Sequence, residues 1–263
     1  MGVALMGIAV AATSGMFLAG KRQMQMQQLQ LETTQSARTA IDMMVRDLRL
    51  GGACLPVTGD FISLEGINNA QTDEIITRTG LTRPDLSCIR TVVPKNTTIA
   101  ANATLVRVEA VDGFAVGMRA YIRNPTGTGE YFQVTSVDTT NKTLGKSATF
   151  ATSYPEDSGV YAIDERRFYI DTAKNPPELM LRIGTDTAQS FAVGIEKLNL
   201  QYQLQRNCPP CDTVSLPASN AEWAIVKALT LSVTARSEKA QQDGTFYRRT
   251  VAVNVKPRNL LPK

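Results

Sequence analysis

The most chemically pointed feature of this sequence is a pair of thiols two residues apart, in Cys208-Pro209-Pro210-Cys211. At C-x-x-C spacing a helix start lowers the pKa of a thiol, and the pair can exchange disulfides. That chemistry needs a βαβ setting in which a helix opens at the motif. Here the alternating run LNLQYQLQ (198–205) precedes the motif, and Thr213, Ser215 and Pro217 follow it. The spacing therefore predicts a loop closed by a structural disulfide. Cys54 and Cys88 bring the cysteine count to four. Four cysteines allow three pairings; sequence proximity favours Cys54–Cys88 with Cys208–Cys211. A zinc site built from all four has one tight pair and no second.

The chain contains no histidine. This removes the usual general base, the commonest metal ligand and every triad that relies on an imidazole. Lysine or carboxylate catalysis stays formally open, but no convergent polar motif accompanies it. The expectation is a protein that is not an enzyme, with no catalytic, cofactor-binding or metal-ligating residue and no cofactor. Asp138, Asn141 and Glu156-Asp157 carry oxygen ligands but lack the alternating pattern with Gly and a terminal Glu that calcium loops use, so solvated loops are expected there. The net charge of +4 over 263 residues is spread along the chain. Without a dense Lys/Arg block there is no support for a nucleic-acid groove, and no small-molecule ligand is indicated.

The elements that position these residues begin with an uncharged stretch, MGVALMGIAVAATSGMFLAG, followed by Lys21 and Arg22. About twenty apolar residues are enough to cross a bilayer as a helix. A secretory signal carries its positive charges before the apolar core, whereas here they come after. Residues 21–50 contain neither Pro nor Gly and are rich in helix formers. One continuous helix of about fifty residues, roughly 75 Å long, is expected. Its segment 1–20 is the membrane span or packed core, with Val3, Leu5, Ile8, Val10, Phe17 and Leu18 as its large apolar residues. Gly7, Ser14, Gly15 and Ala19 either permit close helix packing or simply make the span Ala/Gly-rich. Segment 21–52 is amphipathic in its later part. Ala37, Ala40, Ile41, Met44 and Leu48 form a stripe at three- and four-residue steps that must pack on a partner surface. Arg38, Asp42 and Arg46 lie on another face. Gly51-Gly52 ends the helix.

From 53 to 263 the pattern becomes β-like. LVRVEAV, YFQVTSV, VYAIDERRFYI and ELMLRI are short strand signals separated by Gly, Asn, Asp and Pro. Leu229, Leu231, Val233 and Ala235 alternate with polar residues, as do Val251, Val253 and Val255, which predicts half-buried antiparallel strands. Trp223, the single tryptophan, reads as a core residue at a strand start. Residues 96–155 read as an extra β-meander, either a small inserted subdomain or a long excursion of the main sheet. The fold class expected is α+β: one long N-terminal helix packed on an antiparallel sheet, with an inserted β-rich subdomain.

A long helix, apolar first and amphipathic later, followed by a β-rich body, resembles the type IV pilins and pseudopilins, and within them the PilW/PulJ-type minor pilins. The resemblance is carried by ARTAIDMMVRDLRLG (37–51), VGIEKLNLQY (193–202), WAIVKALTLSVTAR (223–236) and the closing Arg258-Asn259. It covers both ends of the chain and reaches 90–160 only in general β character. The basic leader ending in Gly and the Phe-Thr-Leu-Ile-Glu-like start of such prepilins are not present, so Met1-Gly2-Val3 falls a few residues inside the corresponding mature helix. The resemblance implies a minor pilin that primes pilus assembly and sits at the filament tip. The partners implied are other minor pilins, the major pilin, the inner-membrane assembly platform and the inner membrane itself. It implies a single-pass inner-membrane protein with a periplasmic body before assembly, and a pilus or cell-surface location after it. A type II secretion pseudopilin of the PulJ/GspJ kind, or a tip adhesin or DNA-binding module, are the alternatives. In the bacterial setting so implied, the triplets at Asn96, Asn102 and Asn141, which match the N-glycosylation pattern, read as turn sequence.

Overall fold

The computed structural model describes residues 2–56, 60–241, 243–257 and 259, and the side chains of the N-terminal helix from Gly15 onward. That helix, α1 (Gly2–Leu50), runs unbroken for 49 residues, a length of about 74 Å at 1.5 Å per residue. Nothing in its sequence interrupts it until the glycine pair. Gly51 N–H donates to the carbonyls of Asp47 (3.0 Å) and Leu48 (3.3 Å). Gly52 then turns the chain with a φ of +79°, and a side chain there would run into the backbone carbonyl of Asn259. A left-handed residue closing a helix is the expected glycine role.

The body holds two antiparallel sheets where a single main sheet was expected. The larger contains β1 (Leu64–Ile67), β2 (Glu74–Gly80), β3 (Arg90–Val92), β4 (Leu105–Arg107), β5 (Arg119–Arg123), β6 (Gly129–Asp138), β7 (Thr143–Lys146), β8 (Gly159–Asp171), β9 (Glu178–Ile183) and β10 (Gln189–Val193). The smaller contains β11 (Ile195–Leu204), β12 (Thr213–Val214), β13 (Val226–Arg236) and β14 (Arg248–Val255), in the order β12-β11-β13-β14.

The long strand β8 organises the larger sheet. Its first half pairs with β3 on one side and β5 on the other; its second half pairs with β2 and β9. From β5 the sheet continues through β6 and β7 to β4. Just beyond β4, Glu109 N–H donates to the Val92 carbonyl at 2.9 Å. That bond brings the sheet round to β3, so β3, β8, β5, β6, β7 and β4 form a ring. The ring encloses a core of its own, with Val106, Ile122, Leu144, Phe150 and Val160 fully buried. This core draws on residues from Ile89 to Ala162, so the β-rich unit reaches beyond the 96–155 stretch on both sides. β3 and the start of β8 are part of its wall.

A second core lies under the helix. The stripe Ala37, Ala40, Ile41, Met44 and Leu48, joined by Val45, is buried against Leu198, Leu200, Leu229, Leu231 and Val233 of the smaller sheet and against Ile75 and Phe168 of the larger. The two sheets are also stitched by polar bonds. Asp73 N–H donates to the Leu198 carbonyl (2.9 Å), and Leu200 N–H donates to the Asp73 carboxylate (2.7 Å). Burial raises the Asp73 carboxyl, while its backbone hydrogen bonds pull it down.

Trp223 departs from its sequence reading. It closes the short helix α2 (Asn220–Trp223), capped by Ser219, instead of opening a strand. It is half-buried and meets Tyr202 edge-on, with ring centroids 4.9 Å apart. Ser219 accepts the N–H of Glu222, and this local cap competes successfully with the strand signal that begins only at Val226.

Candidate functional site

The helix divides into a docked part and a free part. From Thr33 to Leu48 its inner face is buried. From Gly15 to Gln25 every residue is exposed. Met16 and Phe17 are 75% and 74% exposed, and Leu18 is 53% exposed. Among the described residues, nothing covers these three consecutive large apolar side chains. Val3, Leu5, Ile8 and Val10 belong to the helix, but their side chains lie outside the described residues. Among the described residues no helix is long and apolar enough to cross a membrane; the side chains of the first fourteen residues, which carry most of the apolar stretch, lie outside the description.

Where the helix lifts from the body a cleft of about 1000 Å³ opens between α1 and the β13–β14 connection. Gln25, Gln28, Gln35 and Ser36 line its helix side, and Ser237 and Lys239 its body side. This is the polar stretch between the apolar end and the docked stripe. Among the described residues no three His, Cys, Asp or Glu side chains group as metal ligands.

The last helical turn is held by charge. Asp47, 5% exposed, receives Arg166 Nη1 at 3.1 Å on both carboxylate oxygens. Arg166 Nε is 3.0 Å from Asp164, and Thr77 Oγ1 donates to the Asp47 carbonyl at 3.4 Å. Burial is the largest influence on the Asp47 carboxyl and raises it; Arg166 pulls it down and Asp164 pushes it up, with a net rise. A second buried network lies across the larger sheet. Arg78 reaches Glu165 (2.6 Å), Glu65 (2.6 Å) and the Ile62 carbonyl (2.9 Å), and its guanidinium lies 5.0 Å from the centre of the Tyr131 ring. Each of the three guanidinium nitrogens of Arg78 thus donates a hydrogen bond. Asp47, Thr77, Asp164 and Arg166 border a cleft of about 480 Å³, and Arg119, Tyr131 and Glu165 border one of about 460 Å³.

The cysteines are joined as Cys54–Cys88 and Cys208–Cys211, and no cysteine is free. The first bridge ties the turn after α1 to the segment entering β3. The second closes the loop between β11 and β12, with no helix starting at it. Arg206 anchors that loop to Asp212 (2.7 Å) and Glu222 (2.6 Å). Asp138 is half-buried and accepts the backbone N–H groups of Thr140 and Asn141 (both 2.9 Å). Glu156, which is exposed, accepts that of Asn96 (2.7 Å). Both are turn-closing contacts.

Sequence reasoning missed the buried ion pairs. The pairs connect residues 87 and 119 positions apart, and the signal available was only that charged residues alternate with apolar ones along β8.

No family model matches the chain. Among curated proteins, hemolin from Hyalophora cecropia is 29% identical over 114 residues, which span 40% of this chain and 26% of hemolin. The match therefore covers about a quarter of that relative's length. Among solved structures, a type IV-like pilin from Thermus thermophilus superposes with a TM-score of 0.39 at 10% sequence identity, covering 86% of this chain and 97% of that one. The functional reading below rests on the residues and architecture of this chain itself.

Proposed function

We propose that the chain is a minor pilin of the type IV pilus machinery that primes assembly and takes a place at the filament tip. It waits in the inner membrane on its N-terminal helix, with its body in the periplasm. The inner-membrane assembly platform then brings it into contact with other minor pilins and the major pilin. It acts by helix packing and subunit contacts, without a catalytic step.

The observation that carries this reading is the division of α1. One part of the helix is fully docked on the body, while Met16, Phe17 and Leu18 stand free. Burying an apolar side chain of this size is worth about 1.5–3 kcal/mol, so a run of them left in water is a strong drive to associate. A bilayer before assembly and the packed helices of neighbouring subunits after it are two surroundings that satisfy the same segment.

The test is a deletion of this chain's gene in its own host, complemented with the full chain or with Phe17→Asp. The full chain is expected to restore surface pili counted by electron microscopy, and the variant to leave the cells bald. Normal piliation in the deletion strain would overturn the reading. Loss of protein secretion with pili intact would replace it with the type II secretion pseudopilin.

One observation favours a second role, tip contact with a surface or with DNA. The ring of β3 to β8 has a core separate from the helix seam, so it adds a face that helix packing does not need. Excising the ring while keeping piliation but losing attachment would support that role.

A further inference from the structure

Among the described residues, the outer edge of the smaller sheet is open. β14 pairs with β13 over eight residues in unbroken antiparallel register, from Leu229 opposite Val255 to Arg236 opposite Arg248. Among the described residues, no backbone N–H or carbonyl of residues 249–255 bonds to anything other than β13. An edge of this length, without a bulge or a proline, is a template for another strand. Its apolar residues are incompletely covered. Val251 and Val253 are half-buried, whereas their partners Val233 and Leu231 on β13 are fully buried.

The charges on the edge choose the occupant. Arg248 is neutralised by Glu196, at 2.7 and 3.0 Å. Arg249 and Lys256 bracket the strand, are exposed, and have no ion pair among the described residues. A second copy of the chain is a poor partner. In-register parallel pairing sets Arg249 beside Arg249 and Lys256 beside Lys256. Like charges facing each other across strands are destabilising. An extended segment with acidic residues at both ends meets the same edge with complementary charge.

We propose that β14 is a strand-addition site for a partner protein, taking an extended segment with alternating apolar residues flanked by Asp or Glu. The added strand completes the ladder, its apolar side chains extend the cover over Val251 and Val253, and its acidic ends pair with Arg249 and Lys256. Main-chain bonds then supply affinity and the end charges supply selection. The site lies on the body and does not depend on the fate of the free helix segment.

The full chain can be tested with two fluorescein-labelled peptides of one Thr-Val repeat, one flanked by Glu pairs and one by Lys pairs, read by fluorescence anisotropy. The Glu-flanked peptide is expected to bind about tenfold more tightly, a difference of about 1.4 kcal/mol. The double substitution Arg249→Glu and Lys256→Glu should reverse that order. Both residues are exposed, so an unchanged melting temperature confirms that the fold is kept. A Glu-flanked peptide N-methylated at alternate residues should lose binding, because it cannot complete the ladder. Absence of binding, equal binding of the two peptides, undiminished binding of the N-methylated peptide, or self-pairing of the chain through β14 would each overturn the proposal.

Discussion

Asp47, in the last turn of α1, and Arg166, near the middle of β8, meet at 3.1 Å across 119 residues of sequence. This contact ties the helix that leaves the body to the strand that organises the larger sheet. Asp47 is almost wholly buried, while Arg166 keeps a third of its side chain in water. The cost of breaking the pair is therefore unequal for the two partners.

Arg166→Met leaves a buried carboxylate without its cation and is expected to cost about 2 kcal/mol, below the full buried-pair figure because Arg166 is partly solvated. Asp47→Asn leaves Arg166 with Asp164 and should cost about 1 kcal/mol or less. The pH dependence has a definite sign. The folded Asp47 carboxyl is raised above its ordinary value, so its contribution is fully present below the unfolded value of about 3.9 and is lost as pH rises through the folded value. Losing Arg166 raises the folded value further. The deficit of Arg166→Met should thus be largest at neutral pH and shrink toward about pH 4, as urea denaturation at several pH values will read.

Met44 and Phe17 lie on one helix but answer to different partners. Met44→Ala empties a fully buried site and should cost about 2–5 kcal/mol of body stability. Phe17→Ala, at a residue 74% exposed, should change the stability of the isolated chain by less than about 0.5 kcal/mol. On the proposed function, Phe17→Ala also lowers incorporation into filaments. Equal effects of the two substitutions on chemical denaturation would show that the free segment packs on the body.

The two disulfides should differ in what they contribute. Closing a 34-residue separation restricts the unfolded chain far more than closing a separation of three. The chain-entropy relation gives about 4 kcal/mol for the first and about 2 for the second. Replacing Cys54 and Cys88 with Ser should therefore lower the melting temperature more than replacing Cys208 and Cys211. Thiol titration of the denatured, unreduced chain is expected to find no free thiol.

Four tyrosines should resist ionisation. Burial raises the phenols of Tyr121, Tyr131 and Tyr202 and pushes Tyr154 up to about 12. A phenol whose folded value is raised favours the folded state fully below the unfolded value of about 10, and that contribution is lost as pH rises through the folded value. Absorbance at 295 nm should therefore show these groups titrating late, together with the loss of near-ultraviolet circular dichroism. Replacing Tyr154 with Phe should remove one of the late steps.

Much of the architecture was legible in the residues. The stripe from Ala37 to Leu48 follows from helical spacing, and the Gly pair after Leu50 from the need for a left-handed cap. The alternation in 198–205 and 229–235 states which face of each strand is apolar. These are local patterns, and a local pattern needs no partner to be recognised. Trp223 shows where such reading fails: the Ser219 cap competes with the strand signal over only a few residues, and the difference is small. The ring was hidden for another reason. Its closing bond joins Glu109 to Val92, and neither residue advertises the other.

The amino-acid order by itself determined the unbroken helix, its change from apolar to amphipathic, the antiparallel character of the body and the absence of imidazole chemistry. These depend on periodicity and composition. Tertiary structure alone decided that there are two sheets, that the β-rich unit extends from Ile89 to Ala162 around its own core, that Asp47 meets Arg166, and that, among the described residues, β14 is left as an open edge. Each of these depends on which distant strands become neighbours and on how much water is excluded between them, and burial sets the strength of a charge pair or a ladder bond only once those neighbours are in place.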